Sequence, residues 1–180
     1  MPERQSLYVM IPALETPISF TPSLRDPSKM FVQLPPKVRN VLQSFTDGNH
    51  GVLIVGGAVR DYLLRRSPAD IDIITNMPPH VFIDKFKEFN VHTTPYVPRL
   101  YQILVEGLKI DISCCDTDVF YSAPAFLKDA ISRAFTVNAL YCDLNGKIYD
   151  PTQTGIADLL NHPTLRLMSA DENRFEKDPL

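Results

Sequence analysis

The sequence has no tryptophan, few cysteines and no long apolar run, and it carries no excess of positive charge. Its 180 residues include three cysteines and have a net charge of −3. Cys114, Cys115 and Cys142 lack metal-binding spacing, which excludes a zinc module and favours a reduced, cytoplasmic setting. Every apolar run is shorter than the roughly 18 residues of a membrane span, so no membrane partner is expected. The charge balance indicates no basic surface for nucleic acid across the whole chain.

Proline is abundant, above all near the N-terminus. Residues 1–33 hold five prolines at nearly regular intervals, which excludes a long helix. This segment is predicted to be an extended arm, a poorly ordered lead-in, or a segment lying across the domain surface. From Pro36 the pattern changes, because Val38, Leu42 and Phe45 recur at helical spacing. We predict an amphipathic helix from there to about Phe45.

A strand, a glycine turn, a helix and a second strand follow one another in one short stretch. Val52–Val55 is a continuous aliphatic run, typical of a strand that is buried on both faces. Gly56 and Gly57 end it with a sharp turn that leaves room for a ligand near the backbone. A helix is predicted over Ala58–Arg66, and Asp70–Ile74 then resumes the strand pattern.

Two carboxylates alternate with apolar residues in the second of these strands. Because side chains alternate along a strand, Asp70 and Asp72 point to one side. Ile71 and Ile73 then point into the core. Carboxylates roughly 6 Å apart repel by about 3 kcal/mol at an effective dielectric of about 20, a cost that a cation between them removes. Hard oxygen ligands beside a glycine turn indicate magnesium with a phosphate. The alternative is a solvated edge strand, which is weakened by the strand, glycine pair and helix that precede the two acids.

These motifs resemble the head of the class II nucleotidyltransferases, the bacterial poly(A) polymerases and CCA-adding tRNA enzymes. The matching residues are Gly56-Gly57-Ala58-Val59-Arg60-Asp61, then Asp70-Ile71-Asp72 and Thr75-Asn76. The resemblance implies an α/β (α+β) fold of the polymerase-beta type, with a mixed sheet flanked by helices. It also implies that Asp70 and Asp72 are catalytic and bind Mg²⁺ or Mn²⁺. Gly56 and Gly57 would cradle phosphates, and Arg60 would add a cation or brace the acidic pair.

Two further strands are predicted over Tyr101–Val105 and Leu108–Ser113, joined by a hairpin turn at Glu106-Gly107. A helix over His80–Phe89 precedes them. Asp111 alternates with apolar residues in the second strand, and the resemblance implies a third catalytic acid on the same sheet face. The alternative is a polar residue on an open face. The arginine that the family usually has after this strand is missing.

A second family signature is similar to residues 129–141. The matching residues are Arg133, Phe135, Thr136, Asn138, Ala139 and Leu140. The resemblance implies that Arg133 approaches the triphosphate and that Asn138 supports the nucleotide. The alternatives are that Arg133 pairs with Asp129 across one helical turn, and that Asn138 is a hydrogen-bonded core residue inside an apolar helix.

Two positions depart from that signature. Ser132 stands where the family has an arginine, and Ala134 stands where it has an aspartate near the nucleotide sugar. An alanine side chain neither accepts a hydroxyl hydrogen bond nor carries charge. This departure motivates an alternative function, that of a degenerate relative which binds nucleotide and metal but transfers slowly or not at all. A third interpretation is a non-catalytic interaction module that uses the proline-rich arm as its contact.

The resemblance runs from about residue 34 to the end and divides the chain into three parts. Residues 1–33 are the arm, 34–165 the head, and 166–180 the start of a neck whose remainder is absent. Residues 116–128 stand in place of a flexible loop that is often considerably longer in the family. The implied reaction is template-independent nucleotidyl transfer from ATP, or from CTP and ATP, to an RNA 3′ end, with release of pyrophosphate. The RNA would be a tRNA or an mRNA, and the sequence does not indicate the oligomeric state.

Overall fold

The computed structural model describes residues 24–48, 50–93, 99–120, 122–160 and 166–167. Within these ranges the backbone forms one seven-stranded sheet in the spatial order β3-β4-β5-β2-β1-β6-β7. The strands are β1 (Val52–Val55), β2 (Asp70–Thr75), β3 (His92–Thr93), β4 (Leu100–Val105), β5 (Leu108–Cys114), β6 (Tyr141–Cys142) and β7 (Ile148–Tyr149).

Helices connect and flank these strands. The α-helices of the described residues are α1 (Met30–Gln33), α2 (Pro36–Ser44), α3 (Gly57–Leu63), α4 (Pro79–Lys85), α5 (Ala123–Ile131) and α6 (Gly155–Leu160). Short 3-10 segments cover Pro27–Lys29, Lys87–Phe89, Thr117–Phe120 and Thr136–Asn138. Among these residues, no helix has the length and apolar character needed to cross a membrane.

The central strand of the sheet is β2, which lies between β1 and β5. It pairs antiparallel with β1 and parallel with β5, and the other neighbouring strands pair antiparallel. A parallel pair requires a crossover connection, which here contains α4, β3 and β4. The predicted α/β fold, a mixed sheet flanked by helices, is confirmed.

Apolar side chains cover both faces of the sheet. One core cluster joins β1, β2 and β5 to α2 and α4 through Ile54, Ile71, Ile110, Leu42 and Phe82. A second cluster joins β1 and β2 to α5 through Leu53, Val55, Ile74 and Phe126. Each fully buried side chain of this size contributes about 1.5–3 kcal/mol. Because Asp70 and Asp72 alternate with the residues of the first cluster, they stand on the face of the second, at one end of a firmly held strand.

The helix after the glycine turn ends earlier than predicted. It stops at Leu63 rather than Arg66, because Arg65 takes a left-handed conformation with φ of 62°. The Arg65 amide then donates to Tyr62 O at 3.0 Å and the Arg66 amide donates to Asp61 O at 2.8 Å. These are the two hydrogen bonds of a Schellman ending. The chain therefore turns before Ser67-Pro68, where the helix was predicted to stop.

Three other segments differ from the sequence-based expectation. Residues 80–89 do not form one helix, because Phe86 (φ −109°, ψ 19°) separates α4 from the 3-10 turn Lys87–Phe89. Residues 116–128 are not a loop, since α5 begins at Ala123 with the Ser122 side chain as its N-cap. Asn138 ends a 3-10 turn and is not inside an α-helix.

Residues 24–33 pack against the head. Met30 is 1% exposed, and the Arg25 amide donates to Leu63 O at 2.9 Å. The turn at Gly146 (φ +85°) approaches this segment so closely that an added Cβ would lie 2.3 Å from Ser28 Cα. Of the segments that we predicted as arm and neck, residues 1–23 and 168–180 lie outside the described residues, and the three-part division of the chain stays a prediction.

Candidate active site

The parallel pairing of β2 and β5 brings together acids that are far apart in sequence. In the register of these strands, Asp72 lies opposite Asp111 and Asp70 lies opposite Lys109. Residues paired in this way present their side chains on the same face of a sheet. The three predicted acids therefore share one face.

Lys109 is a member of this group that was not predicted from the sequence. Its Nζ lies 3.2 Å from Asp70 Oδ2 and 3.0 Å from Asp111 Oδ2. Hydrogen bonding to Asp111 raises the pKa of Lys109 despite partial desolvation, so the amine is charged at neutral pH. The signal was present in the sequence, because Lys109 and Asp111 are two residues apart on a strand and must point to the same side.

Asp111 has one satisfied and one unsatisfied carboxylate oxygen. Oδ2 contacts Lys109, whereas Oδ1 is buried and has no hydrogen-bond partner among the described residues. A buried acceptor without a partner costs about 1–3 kcal/mol. Such a cost is expected where a site is completed by a bound group.

Asp72 is the most perturbed carboxyl of the group. Burial, followed by the negative charges of Asp70 and Asp111, raises the pKa of Asp72 to about 6, although Arg133 and Lys109 act in the opposite direction. The carboxylate therefore lacks sufficient positive charge around it. A divalent cation at this position would reverse the effect.

The glycine turn brings the backbone close to Asp72. Gly56 has φ +75° and ψ −137°, a conformation that is essentially confined to glycine. A Cβ at this position would lie 3.3 Å from Asp72 Oδ2 and 4.0 Å from Arg133 Nη1. At Gly57 an added Cβ would lie 3.5 Å from Arg60 Nη2. The two predicted glycines thus stand beside the acids and two arginines.

Arg60 links α3 to the turn that carries Asn138. Its Nη1 donates to Asn138 Oδ1 at 2.6 Å, and its Nε donates to Asp61 Oδ1 at 2.8 Å. Asn138 is hydrogen-bonded, as in the alternative interpretation, but it is only half-buried and lies in a 3-10 turn. The roles of Arg60 and Asn138 toward a nucleotide stay predictions.

Arg133 is held in place by Asp129 and Tyr141. Nη2 lies 3.4 Å from Asp129 Oδ2, the pairing across one helical turn that was the alternative interpretation. Nε donates to the Tyr141 hydroxyl at 3.1 Å, and that hydroxyl donates to Asp129. Burial disfavours the charge of Arg133, but Tyr141 and Asp129 outweigh it and raise its pKa. Contact of Arg133 with a triphosphate stays a prediction, and the part played by Tyr141 was not predicted.

The turn Thr136–Asn138 is also anchored by the buried carboxylate of Asp158. Asp158 is 6% exposed and accepts a hydrogen bond from Thr136 Oγ1 at 2.6 Å. Arg166 binds both oxygens of Asp158, with Nε at 3.1 Å and Nη2 at 3.2 Å. Such a bidentate pair fixes geometry as well as charge. Asn138 is thereby positioned by contacts on both sides of its turn.

The acids supply part of a metal site. In the described ranges, no group of three His, Cys, Asp or Glu side chains is arranged to hold a metal ion. Two adjacent carboxylates suit Mg²⁺, which keeps several waters and binds through one or two carboxylates together with substrate phosphates. Asp70 and Asp72, with Asp111 opposite Asp72 on the next strand, fit such a partial site.

The mixed sheet, the diglycine turn and the acidic central strand are those of a polymerase-beta-like nucleotidyltransferase head. The sequence profile of the poly(A) polymerase head domain matches residues 52–164, and the chain belongs to that family. The CC-adding tRNA nucleotidyltransferase of Halalkalibacterium halodurans is 32% identical over 150 residues, which are 78% of this chain and 35% of the relative. The CCA-adding enzyme of Lactobacillus helveticus is 33% identical over 156 residues, covering 80% and 38% of the two chains.

Solved structures of CCA-adding enzymes are also similar to this chain. A CCA-adding enzyme in complex with CTP matches with a TM-score of 0.66 and 28% identity over 88% of this chain and 40% of that one. The Thermotoga maritima CCA-adding enzyme complexed with tRNA matches with a TM-score of 0.65 and 28% identity, covering 88% and 39%. The chain spans between 35% and 38% of the length of the two curated relatives.

Proposed function

We propose that this chain is the head of an RNA nucleotidyltransferase that adds nucleotides to the 3′ end of a tRNA. The observation that carries the proposal is the acid pair of β2 beside Gly56, with Asp111 opposite Asp72 on the neighbouring strand. The relatives are CC-adding and CCA-adding enzymes, and the solved ones include complexes with CTP, ATP and tRNA. These likenesses favour CTP and ATP as donors, rather than poly(A) addition from ATP alone.

The acids hold the reacting groups in this proposal. Asp70 and Asp72 would hold a Mg²⁺ or Mn²⁺ ion together with the nucleotide. When bound there, such an ion would supply activation of the attacking hydroxyl and stabilisation of the leaving oxygen. Asp111, which lies opposite Asp72 on the neighbouring strand, would be the third acid of this face and would act on the RNA 3′-hydroxyl.

The glycines and arginines hold the nucleotide. Gly56 and Gly57 let the triphosphate approach the backbone without hindrance from a Cβ. Arg133, whose Nη1 faces Gly56, supplies positive charge next to the phosphates. Arg60 keeps Asn138 oriented through their 2.6 Å hydrogen bond, and Asn138 in turn supports the nucleotide.

Two measurements test the proposal. Calorimetry on the 180-residue chain is expected to show binding of CTP or ATP that requires Mg²⁺ or Mn²⁺. A gel assay on the full protein is expected to show extension of a labelled tRNA that lacks its 3′-terminal nucleotides. Metal-independent nucleotide binding, or binding of neither nucleotide, would contradict the site assignment. Extension of unrelated RNA as efficiently as tRNA would contradict the choice of substrate.

A slow, degenerate enzyme is the second candidate, and Ala134 is the observation that favours it. Ala134 is half-buried between Arg133 and the turn Thr136–Asn138, where the resemblance places an aspartate at the nucleotide sugar. In this alternative the protein binds metal and nucleotide but transfers slowly.

We expect Ala134→Asp to raise the transfer rate. A hydrogen bond to a charged acceptor contributes about 1.5–3 kcal/mol, or roughly one to two decades in rate if it is expressed in the transition state. Repulsion from Asp70 and Asp72 opposes the gain, and Arg133 with bound metal offsets that repulsion. The measurement is the single-turnover rate of the wild type and of Ala134→Asp at saturating Mg²⁺. Ala125→Asp, at another half-buried alanine, is the control. A fast wild-type protein that Ala134→Asp leaves unchanged or slows would remove the degenerate interpretation.

A further inference from the structure

A lysine lies between Asp70, which the proposed function assigns to a metal ion, and Asp111 on the neighbouring strand. Lys109 Nζ lies 3.2 Å from Asp70 Oδ2 on the adjacent parallel strand and 3.0 Å from Asp111 Oδ2 on its own strand. The strand register fixes this arrangement, because Asp70 is directly opposite Lys109. The lysine is therefore a built-in part of the acidic face.

The ammonium group already pairs with one carboxylate oxygen that a metal would use, Asp70 Oδ2. It has three donor hydrogens, and its nitrogen lies within ion-pair distance of two different carboxylates. An ammonium and a divalent cation cannot share Asp70 Oδ2 at contact distance, because both are positive and the repulsion between them is strong in a partly buried site. Binding of one cation at this oxygen thus opposes binding of the other.

The lysine side chain can also move away from Asp70. It is 43% exposed, and Asp70 is 44% exposed, so Nζ can leave Asp70 for solvent without crossing packed atoms. Asp111 is only 16% exposed, so water replaces its contact with the lysine less readily. The flexible four-carbon stem of lysine permits such a displacement at low cost.

We propose that Lys109 is a resident counter-ion that holds Asp70 and Asp111 together in the metal-free protein and competes with the divalent metal for Asp70. The inference rests on the proposed function in assigning Asp70 and Asp72 to a metal. It adds that Lys109 lowers the affinity of the site for the metal, so that the metal binds only weakly in the absence of nucleotide. Lys109 is thus a positioning residue for the acids, and it need not contact the nucleotide.

The test measures Mn²⁺ binding at about pH 7.5 in the absence of nucleotide, by the loss of the electron paramagnetic resonance signal of free Mn²⁺. Lys109→Met keeps the length of the side chain and removes its charge, and we expect it to bind Mn²⁺ about tenfold more tightly. Lys109→Arg keeps a cation and is expected to bind as weakly as the wild type. Lys85→Met is the matched control, because Lys85 forms a 2.8 Å ion pair with Asp47 elsewhere on the head.

A second readout is thermal unfolding, which does not rely on the signal of free Mn²⁺. In EDTA, Lys109→Met is expected to unfold at a lower temperature than the wild type, because Asp70 and Asp111 have lost their common counter-ion. Added Mn²⁺ should then raise its unfolding temperature by more than it raises that of the wild type. Equal Mn²⁺-induced shifts in the two proteins would overturn the inference.

The outcomes separate this inference from the proposed function. Asp72-dependent Mn²⁺ binding in the wild type that Lys109→Met leaves unchanged or weakens would overturn the inference alone. Absence of Asp72-dependent Mn²⁺ binding in both the wild type and Lys109→Met would overturn the metal assignment itself. Tighter binding by Lys109→Met and by Lys85→Met alike would indicate a general charge effect and would also overturn the inference.

Discussion

Replacement of Asp72 by asparagine is expected to stabilise the metal-free protein while it removes metal-dependent binding of the triphosphate. The two effects have opposite signs and arise from the same carboxylate. Burial, and then the charges of Asp70 and Asp111, disfavour ionisation of Asp72 in the folded state and raise its pKa to about 6. An amide at the same position has no charge to desolvate, so the folded state loses this penalty.

The pH dependence follows from that shift. In the unfolded chain Asp72 releases its proton near the ordinary aspartate pKa of 3.8, whereas in the folded protein it keeps the proton until about pH 6. Between these values the folded state binds more protons, so the free energy of unfolding falls as pH rises from about 4 to 6. Above about pH 6 the full penalty is present, and we expect Asp72→Asn to gain roughly 1–3 kcal/mol at about pH 7.5.

The loss of binding has a different cause. The asparagine amide offers one neutral carbonyl oxygen where a hard cation requires a carboxylate. A bound metal ion stabilises the transition state of phosphoryl transfer by several kcal/mol. Without it, the rate of nucleotide addition should fall by about 10³-fold or more.

Unfolding in urea with EDTA, followed from about pH 4 to 8, and calorimetry with Mg²⁺ and CTP or ATP check both parts. Asp84→Asn is the control, because Asp84 on α4 is 83% exposed and pairs with Lys87 in the following turn. A destabilised Asp72→Asn protein at about pH 7.5, or one that binds the metal–nucleotide as the wild type does, would contradict the assignment of Asp72.

The local part of this site could be predicted from the sequence. An aliphatic run, two glycines, a helical pattern and the acid pair Asp70 and Asp72 follow one another without interruption, and each signal agrees with its neighbours. β1, the turn at Gly56 and β2 form as expected, and the helix between them differs in its last turn. Consistency between local signals and the fold explains this success.

The contacts that cross the sheet could not be predicted in the same way. Parallel pairing of β2 with β5 joins residues separated by an entire crossover, and no local pattern fixes its register. For this reason Asp111 was placed on the acidic face by resemblance alone, and Lys109 was missed although its alternation with Asp111 was visible. Tyr141 was missed because a buried tyrosine in an apolar run gives no sign of where its hydroxyl points.

The helix α5 was missed for another reason. The resemblance indicated a loop over residues 116–128, and that expectation outweighed a local signal that the sequence does contain. Ser122 is a good N-cap, Pro124 fits the first helical turn, and Phe126 and Ala130 lie on one face at a spacing of four. In the structure this helix covers β1 and places Asp129 next to Arg133.

Substitution of Gly56 by alanine is expected to weaken metal–triphosphate binding and to lower the stability of the fold. The residue has φ +75° and ψ −137°, and forcing an L residue into such a conformation costs about 1–3 kcal/mol. The new Cβ would also lie 3.3 Å from Asp72 Oδ2 and 3.8 Å from the Asn138 carbonyl oxygen. Because the backbones on both sides are held by the sheet and the 3-10 turn, the carboxylate must shift by a few tenths of an ångström.

Gly107→Ala separates the two consequences of this change. Gly107 has φ +82° in the turn between β4 and β5, and an added Cβ there would meet no atom of the described residues within 4 Å. Both variants should therefore lose roughly 1–3 kcal/mol to backbone strain. Only Gly56→Ala should also lose affinity for CTP or ATP with Mg²⁺, by about tenfold or more. The reason is that a displaced Asp72 carboxylate loses much of its contribution to binding the metal–nucleotide. Chemical unfolding measures the first effect and calorimetry the second. Equal losses of stability with unchanged nucleotide binding in both variants would show that Gly56 serves the turn alone, and the acid pair would then have to bind its ligand without help from the backbone beside it.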